Sequence, residues 1–153
     1  MTNRLLLDVN ALAIAVVDDH PGHPYVEKRL RPGFAGDETL LVFDYLPLRV
    51  QWVLTSRWGI ETVAARNAVS SLLDQPLEIV SASRETMLEA YDISADKNHD
   101  VFDSLYVALA REHDADEIVT TDTDFDRLCR NEEFDYCNPV PDDVLAEFHA
   151  VND

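Results

Sequence analysis

Lysine and long hydrophobic runs are scarce in this chain of 153 residues, and each shortage excludes a class of protein. Lysine occurs only as Lys28 and Lys97, and 12 basic residues face 30 acidic ones, which gives a formal net charge of −18. That balance excludes a simple nucleic-acid binder with a basic surface and a polybasic protein of the membrane surface. The longest uncharged stretch near the start, residues 9–17, is too short to span a bilayer. Asp8 and Asn10 interrupt its apolar character, so a signal peptide is not predicted either.

Cysteine is equally rare. Cys129 and Cys137 are the only two, and their spacing matches no zinc-binding pattern and makes no disulfide framework. We therefore expect a cytoplasmic protein of a reducing compartment, without a membrane segment. The apolar fraction of 46% and the length predict one globular domain over residues 1–153, which no internal repeat or linker divides.

The excess of acid bears on the salt content of the surroundings. Acidic residues are spread from Asp8 to Asp153 rather than gathered in one tail. A fold with this charge repels itself at low ionic strength, and ~1 M salt screens the repulsion to within ~3 Å. We hypothesise a salt-rich cytoplasm, as in a halophile, beside the simpler alternative of an acidic mesophilic protein. If the urea concentration at the midpoint of unfolding does not rise between ~0.1 and ~2 M KCl, the hypothesis is contradicted.

Short, largely apolar runs alternate with helical patterns along the chain. Runs at residues 4–7, 77–80, 117–121 and 134–137 predict strands, and the most apolar of them suit a parallel sheet covered on both faces. Helical spacing predicts helices over residues 11–17, 25–30, 40–56, 60–73, 83–91, 101–113, 126–130 and near the C terminus to 149. Turn-forming and polar residues predict loops over residues 20–24, 31–37 and 92–100. We therefore expect a three-layer α/β fold with a mostly parallel sheet between helices.

Two aspartates directly follow predicted strands. Asp8 comes after residues 4–7, and Asp122 comes after residues 117–121. Because the ligand crevice of an open α/β sheet lies at the carboxyl ends of its strands, the two carboxylates meet at one edge if these strands are neighbours. The alternative for each is an aspartate that starts a turn or caps a helix.

Asp103 lies within the strongest predicted helix, on the same face as Tyr106. A carboxylate against apolar neighbours is costly unless it has a partner. The helix immediately precedes the strand at residues 117–121, so Asp103 can lie near Asp122. The structural alternative is a capping pair, in which Asp100 caps the helix and Asp103 is its third residue.

Carboxylates gathered at one point raise each other's pKa unless they share a cation. Hard oxygen ligands without histidine or cysteine predict Mg²⁺ or Mn²⁺. Such an ion can bind a phosphate oxygen and orient the attacking water, which is the chemistry of phosphodiester hydrolysis. His99 precedes Asp103 by four residues and either touches this site or, as the simpler interpretation, lies in a solvated loop.

Three segments together resemble the PIN-domain nucleases. Residues 5–12 (LLLDVNAL) resemble the opening motif, residues 101–110 (VFDSLYVALA) the third acidic motif and residues 118–126 (IVTTDTDFD) the fourth. Residues 134–139 are similar to the strand and Asn-Pro that close the fold. Order, spacing and length agree over nearly the whole chain, and the ordered set is more specific than any single motif.

The resemblance implies a fold, a site and a partner. It implies about five parallel strands between helices and an Mg²⁺- or Mn²⁺-dependent ribonuclease that cleaves RNA. It also implies metal-binding carboxylates at Asp8, Asp103, Asp122 and Asp124, with polar supports at Asn10 and Thr121. A stand-alone PIN domain of this size resembles a VapC-type toxin of a toxin–antitoxin pair, usually a homodimer that a small antitoxin protein silences.

One position departs from the family pattern. The family usually carries a glutamate ahead of a stretch such as residues 53–57, whereas Arg49 stands there in this chain, with Asp44 about a turn earlier as a substitute. Arg49 either grips a phosphate or pairs with the acids and displaces the metal. The alternatives to a metal-dependent endoribonuclease are thus a catalytically weak PIN scaffold that binds RNA or a protein, and an unrelated α/β phosphatase or signalling domain.

Overall fold

A central parallel sheet organises the chain. The computed structural model describes residues 2–152, with side chains up to residue 148. The strands are β1 (Arg4–Leu7), β2 (Thr39–Phe43), β3 (Leu77–Val80), β4 (Glu117–Val119) and β5 (Asp135–Cys137). Their order is β3-β2-β1-β4-β5, and each neighbouring pair is parallel. This topology confirms the predicted three-layer α/β fold and puts β1 in the middle.

Helices cover both faces of this sheet. They are α1 (Val9–Ala15), α2 (His23–Phe34), α3 (Leu46–Trp52), α4 (Thr62–Leu73), α5 (Arg84–Lys97), α6 (Val101–Glu112), α7 (Asp124–Leu128) and α8 (Asp142–Asn152). A π-helical turn at Val53–Arg57 extends α3. Within residues 2–152, none of the helices combines the length and the apolar character that a membrane crossing requires.

Alternate residues of β1 enter two separate cores. Leu5 and Leu7 pack with residues of α1, α2, α3, α4 and α8, whereas Leu6 packs with residues of α5, α6 and α7. All three leucines are fully buried, which explains why the run is apolar without alternation. Truncating any of them to alanine removes about 2–5 kcal/mol of stability.

The strand β2 corrects one sequence prediction. Residues 40–56 carry helical spacing, yet Thr39–Phe43 is a strand that pairs with β1 and β3. A short apolar run fits a buried strand and a buried helix equally well, and pairing with two neighbouring strands decides between them. The helical prediction holds from Leu46 onward, where Pro47 lies in the first turn of α3.

Two predicted loops are partly helical instead. α2 continues through Pro32, and Gly33 lets it lie against β2, because a Cβ at this glycine would come within 2.4 Å of Leu40. α5 continues beyond its predicted end because Ile93 is buried against the second core. A left-handed residue, Asn98 (φ 51°), then ends the helix.

The end of β4 and the start of α2 also differ from the prediction. β4 ends at Val119, so two residues separate the strand from Asp122 instead of none. α2 begins at His23, inside the predicted turn.

Candidate metal centre

Asp8 lies at the carboxyl end of the central strand β1, where it also caps α1. Its Oδ1 accepts a hydrogen bond from the Val9 backbone N–H at 2.7 Å, and its Oδ2 accepts one from the Thr120 hydroxyl at 2.8 Å. Burial raises the pKa of Asp8, these hydrogen bonds oppose the rise, and the nearby charge of Asp122 adds to it. Asp8 is therefore both a helix cap and a buried carboxylate at the sheet edge.

Thr120 is a fully buried residue that sequence analysis missed. Its hydroxyl donates to Asp8 and accepts the Asp122 backbone N–H at 3.0 Å, so it joins the ends of β1 and β4. The Asn10 side-chain oxygen accepts the Thr121 backbone N–H at 3.1 Å. Asn10 therefore supports this segment through its amide, and Thr121 supports it through its backbone. The sequence signal for Thr120 was its position at the end of a buried strand, where a hydroxyl needs a hydrogen-bond partner.

Three of the predicted metal ligands converge at this edge. One carboxylate oxygen from each of Asp103, Asp122 and Asp124 lies within 4.8 Å of the other two. Asp103 belongs to the first turn of α6, and its N–H donates to Asp100 Oδ1 at 2.9 Å, so the capping pair given above as the structural alternative is present. Asp122 Oδ1 accepts the Asp124 backbone N–H at 3.0 Å, so the start of α7 orients that carboxylate.

Burial and mutual repulsion both act on these carboxyl groups. Burial raises the pKa of Asp103 to about 6, a hydrogen bond from His99 opposes the rise, and neighbouring aspartates add to it. Burial also raises the pKa of Asp122, and the charge of Asp124 contributes. Among residues 2–148, no lysine or arginine lies within 4.0 Å of the four predicted ligands. The acids therefore lack a compensating cation from these side chains.

His99 packs against this group, so its interpretation as a solvated loop residue is wrong. Its side chain is only 11% exposed, and its Nε2 lies 2.7 Å from Asp103 Oδ2. Its Nδ1 lies 2.9 Å from the Arg127 guanidinium. His99, Asp100 and Asp103 also bring ligand atoms within 4.8 Å of one another.

A cavity of about 830 Å³ opens at the carboxyl ends of β1 and β2, against α3 and α6. Its charged and amide-bearing lining residues are Asp8, Asn10, Asp44, Arg49, Asp103 and Asp122. Asp8 thus shares the cavity with Asp103 and Asp122. Within residues 2–148, however, Asp8 is not part of any set of three acidic, histidine or cysteine residues whose ligand atoms all lie within 4.8 Å of one another.

Arg49 and Asp44 line the same cavity but lie apart from the acidic group. The Arg49 guanidinium carbon lies 4.6 Å from the centre of the Trp52 ring, and among residues 2–148 it forms no ion pair. Asp44 is exposed and accepts a hydrogen bond from the Ser81 hydroxyl at 3.0 Å. Arg49 therefore stacks on an aromatic ring and leaves the acids open, which does not favour the scaffold alternative.

Three solved structures share this architecture. The sarcin–ricin-loop-cleaving toxin VapC20 of Mycobacterium tuberculosis is 17% identical, with a TM-score of 0.62 over 79% of this chain and 92% of its own. VapBC2 of Rickettsia felis, bound to a DNA fragment from its promoter, is 17% identical, with a TM-score of 0.67 over 88% of this chain and 98% of its own. PAE2754 of Pyrobaculum aerophilum is 14% identical, with a TM-score of 0.61 over 97% of this chain and 90% of its own. At these identities the likeness shows a common fold.

The family of the chain follows from its sequence rather than from these structures. No curated protein matches the sequence significantly. The model of the PIN domain family matches residues 5–131, which include the whole acidic group, all but the first residue of β1, and the strands β2 to β4. The chain therefore belongs to the PIN domain family, a relationship that supports a nuclease in general.

Proposed function

We propose that this chain is a divalent-metal-dependent endoribonuclease, with Asp8, Asp103, Asp122 and Asp124 as ligands of Mg²⁺ or Mn²⁺. The observation that carries the proposal is the close approach of three carboxylates, within 4.8 Å, beside a cavity onto which Asp8 also opens. No lysine or arginine among residues 2–148 neutralises them. Such a group costs stability unless a cation from outside the chain joins it.

The donor set fits a hard divalent cation. The proposed ligands are all carboxylate oxygens, which suit Mg²⁺ and Mn²⁺ better than softer metals. When bound, such a cation supplies positive charge to a phosphodiester and lowers the pKa of a coordinated water. The chain would contribute the orientation: Thr120 and the Val9 N–H hold Asp8, and the Asp124 N–H holds Asp122.

Arg49 is the proposed contact for the phosphate backbone. Its guanidinium lines the cavity, stacks on Trp52 and forms no ion pair among residues 2–148. A planar guanidinium that no acid neutralises suits a phosphate oxygen. We therefore assign to Arg49 a role in RNA binding rather than in displacing the metal.

The toxin role extends the same proposal. The structural neighbours include a toxin that cleaves the sarcin–ricin loop and a VapBC2 assembly on promoter DNA. We propose that this chain is likewise a single-domain toxin that acts on RNA, that a small antitoxin protein silences it, and that it forms a homodimer.

RNA cleavage in concentrated KCl tests the catalytic proposal. Structured RNA is incubated with the chain in Mn²⁺ or in EDTA, beside Asp122→Asn and the matched control Asp126→Asn, an exposed aspartate of α7 outside the acidic group. We expect cleavage only with Mn²⁺ and a loss above about 100-fold for Asp122→Asn, since even outer-shell partners cost about 10–100-fold. Asp126→Asn should cleave like the wild type. No Mn²⁺-dependent cleavage, or full activity in Asp122→Asn, would contradict the proposal.

A further inference from the structure

The side chain of His99 bridges the acidic group and a cation behind it. Its Nε2 lies 2.7 Å from Asp103 Oδ2, and its Nδ1 lies 2.9 Å from an Arg127 guanidinium nitrogen. The same guanidinium donates to the Lys97 carbonyl oxygen at 2.6 Å, which anchors it to the end of α5. The His99 backbone N–H donates to the Ser94 carbonyl oxygen at 3.1 Å, so the backbone of this residue is anchored as well as its ring.

These contacts determine where the ring proton lies. An arginine guanidinium carries only donors and stays protonated, so it can only donate to the ring. His99 Nδ1 must then accept through its lone pair, because an N–H at that position would face another N–H. The single ring proton is therefore on Nε2, and it is donated to Asp103 Oδ2.

The same tautomer removes His99 from the set of possible metal ligands. His99, Asp100 and Asp103 lie close enough together to suggest a second cation group. Both ring nitrogens of His99 are engaged, one as an acceptor from Arg127 and one as a donor to Asp103. A metal on Nε2 would require loss of that proton and of the hydrogen bond to Asp103.

We infer that His99 is a positioning residue, which Arg127 locks as the Nε2–H tautomer so that it holds the Asp103 carboxylate in place for the cation. The inference rests on the proposed function. Hydrogen-bond partners of metal ligands commonly contribute about 10–100-fold in metal affinity.

Calorimetric titration of the full chain with Mn²⁺ tests the positioning role. We expect His99→Ala to bind Mn²⁺ about tenfold more weakly than the wild type. His99→Gln should recover most of the affinity, because its amide N–H can replace the Nε2–H donor at similar reach. Equal loss in both variants, or no loss in His99→Ala, would overturn the inference.

The ring spectrum tests the tautomer separately and needs no metal. In a long-range ¹⁵N–¹H spectrum of the metal-free wild type, we expect the pattern of the Nε2–H form of His99. Arg127→Met should lose the preference for that form and should weaken Mn²⁺ binding, since nothing then fixes the proton. A wild-type ring protonated on Nδ1 would overturn the inference.

The two tests also separate this inference from the proposed function. A wild-type chain that binds no Mn²⁺ overturns the proposed metal site, and the positioning role falls with it. A wild-type chain that binds Mn²⁺ as tightly as His99→Ala overturns the positioning role alone.

Discussion

Partly buried acidic side chains lie at both edges of the central sheet, at the amino ends and at the carboxyl ends of its strands, but within the described part of the chain only those at the amino edge are paired with an arginine. At the amino ends of β1, β2 and β4, Arg29 contacts Glu38 at 2.8 Å and also pairs with Glu117. The Asn3 amide donates to the same two glutamates at 2.9 and 3.0 Å. At the carboxyl ends of the same strands, Asp8 and Asp122 have no comparable arginine or lysine among residues 2–148.

The pKa shifts follow this difference. Burial alone would raise the pKa of Glu38, but hydrogen bonds from Arg29 and Asn3 outweigh it and lower that pKa. At the other edge, burial raises the pKa of Asp8, Asp103 and Asp122 in spite of their hydrogen bonds. The amino edge is thus compensated by Arg29 and Asn3, whereas the acids of the carboxyl edge have no comparable arginine or lysine among residues 2–148.

Among changes at the two edges, removing the arginine of the amino edge should have the largest effect on stability. In Arg29→Met, Glu38 and Glu117 lose their cation, and Arg29 is only 23% exposed. We expect a loss of about 3 kcal/mol in the free energy of unfolding, the lower end of the range for breaking a buried pair. Urea unfolding measures this loss.

The matched control lies on the same helix. Arg31 of α2 pairs with Glu27 at 2.6 Å but is exposed, so Arg31→Met should cost far less stability than Arg29→Met. Similar losses for the two arginines would show that the amino edge is not compensated in the way described.

Adding Mn²⁺ should have the next largest effect on the free energy of unfolding, and this effect should depend only on the acids of the carboxyl edge. Mn²⁺ at about 100 times its dissociation constant should raise the free energy of unfolding by about 2.7 kcal/mol relative to EDTA. Asp122→Asn should abolish this increment, while Glu38→Gln should keep it because Glu38 lies at the opposite edge. An increment that survives in Asp122→Asn would place the cation elsewhere.

Neutralising one acid of the carboxyl edge should stabilise the metal-free chain slightly. The pKa of Asp103 is raised by burial to about 6 from an ordinary value of 3.8, so above pH 6 the charged carboxylate costs stability. We expect Asp103→Asn to gain about 1 kcal/mol at pH 7, after allowing for screening by solvent.

The pH dependence checks the sign of that effect. The folded state holds the Asp103 proton more tightly than the unfolded state, so the cost disappears as the pH falls from about 6 toward 4. The gain of Asp103→Asn in urea unfolding should shrink over the same range. A gain that grows on acidification would contradict the assignment of the raised pKa to Asp103.

The central strand could be predicted from the sequence, whereas β2 and the end of α2 could not. The run at Leu5, Leu6 and Leu7 indicates a strand covered on both faces, and the structure confirms it. The strand Thr39–Phe43 could not be told from a helix, because its apolar run is short and its pairing partners lie elsewhere in the chain. The helix across Gly33 was missed for the same reason, since its close packing on Leu40 is a contact between two separate elements.

The aspartates of the candidate site could also be predicted from the sequence, whereas the contacts that support them could not. Asp8 and Asp122 were predicted from their positions after strands, and Asp103 from its place in the helix before the second of these strands. Asp124 was predicted from the family resemblance alone, and the role of all four as ligands stays a proposal. The contribution of Thr120 was missed, and for His99 the simpler interpretation as a solvated loop residue was wrong, since both contributions depend on which partner the polar atoms meet.

By itself, the sequence determined the kinds of element, their alternation and the excess of acid, because burial on two faces and helical periodicity are local properties of the chain. Only the tertiary structure decided that β1 lies between β2 and β4, and that order brings the acids together at one edge. It also decided that Arg29 compensates the opposite edge and that the Arg127 guanidinium meets the His99 ring. The physical reason is that these charges and hydrogen bonds join residues far apart in the sequence, and no local pattern encodes which distant partner a side chain will meet.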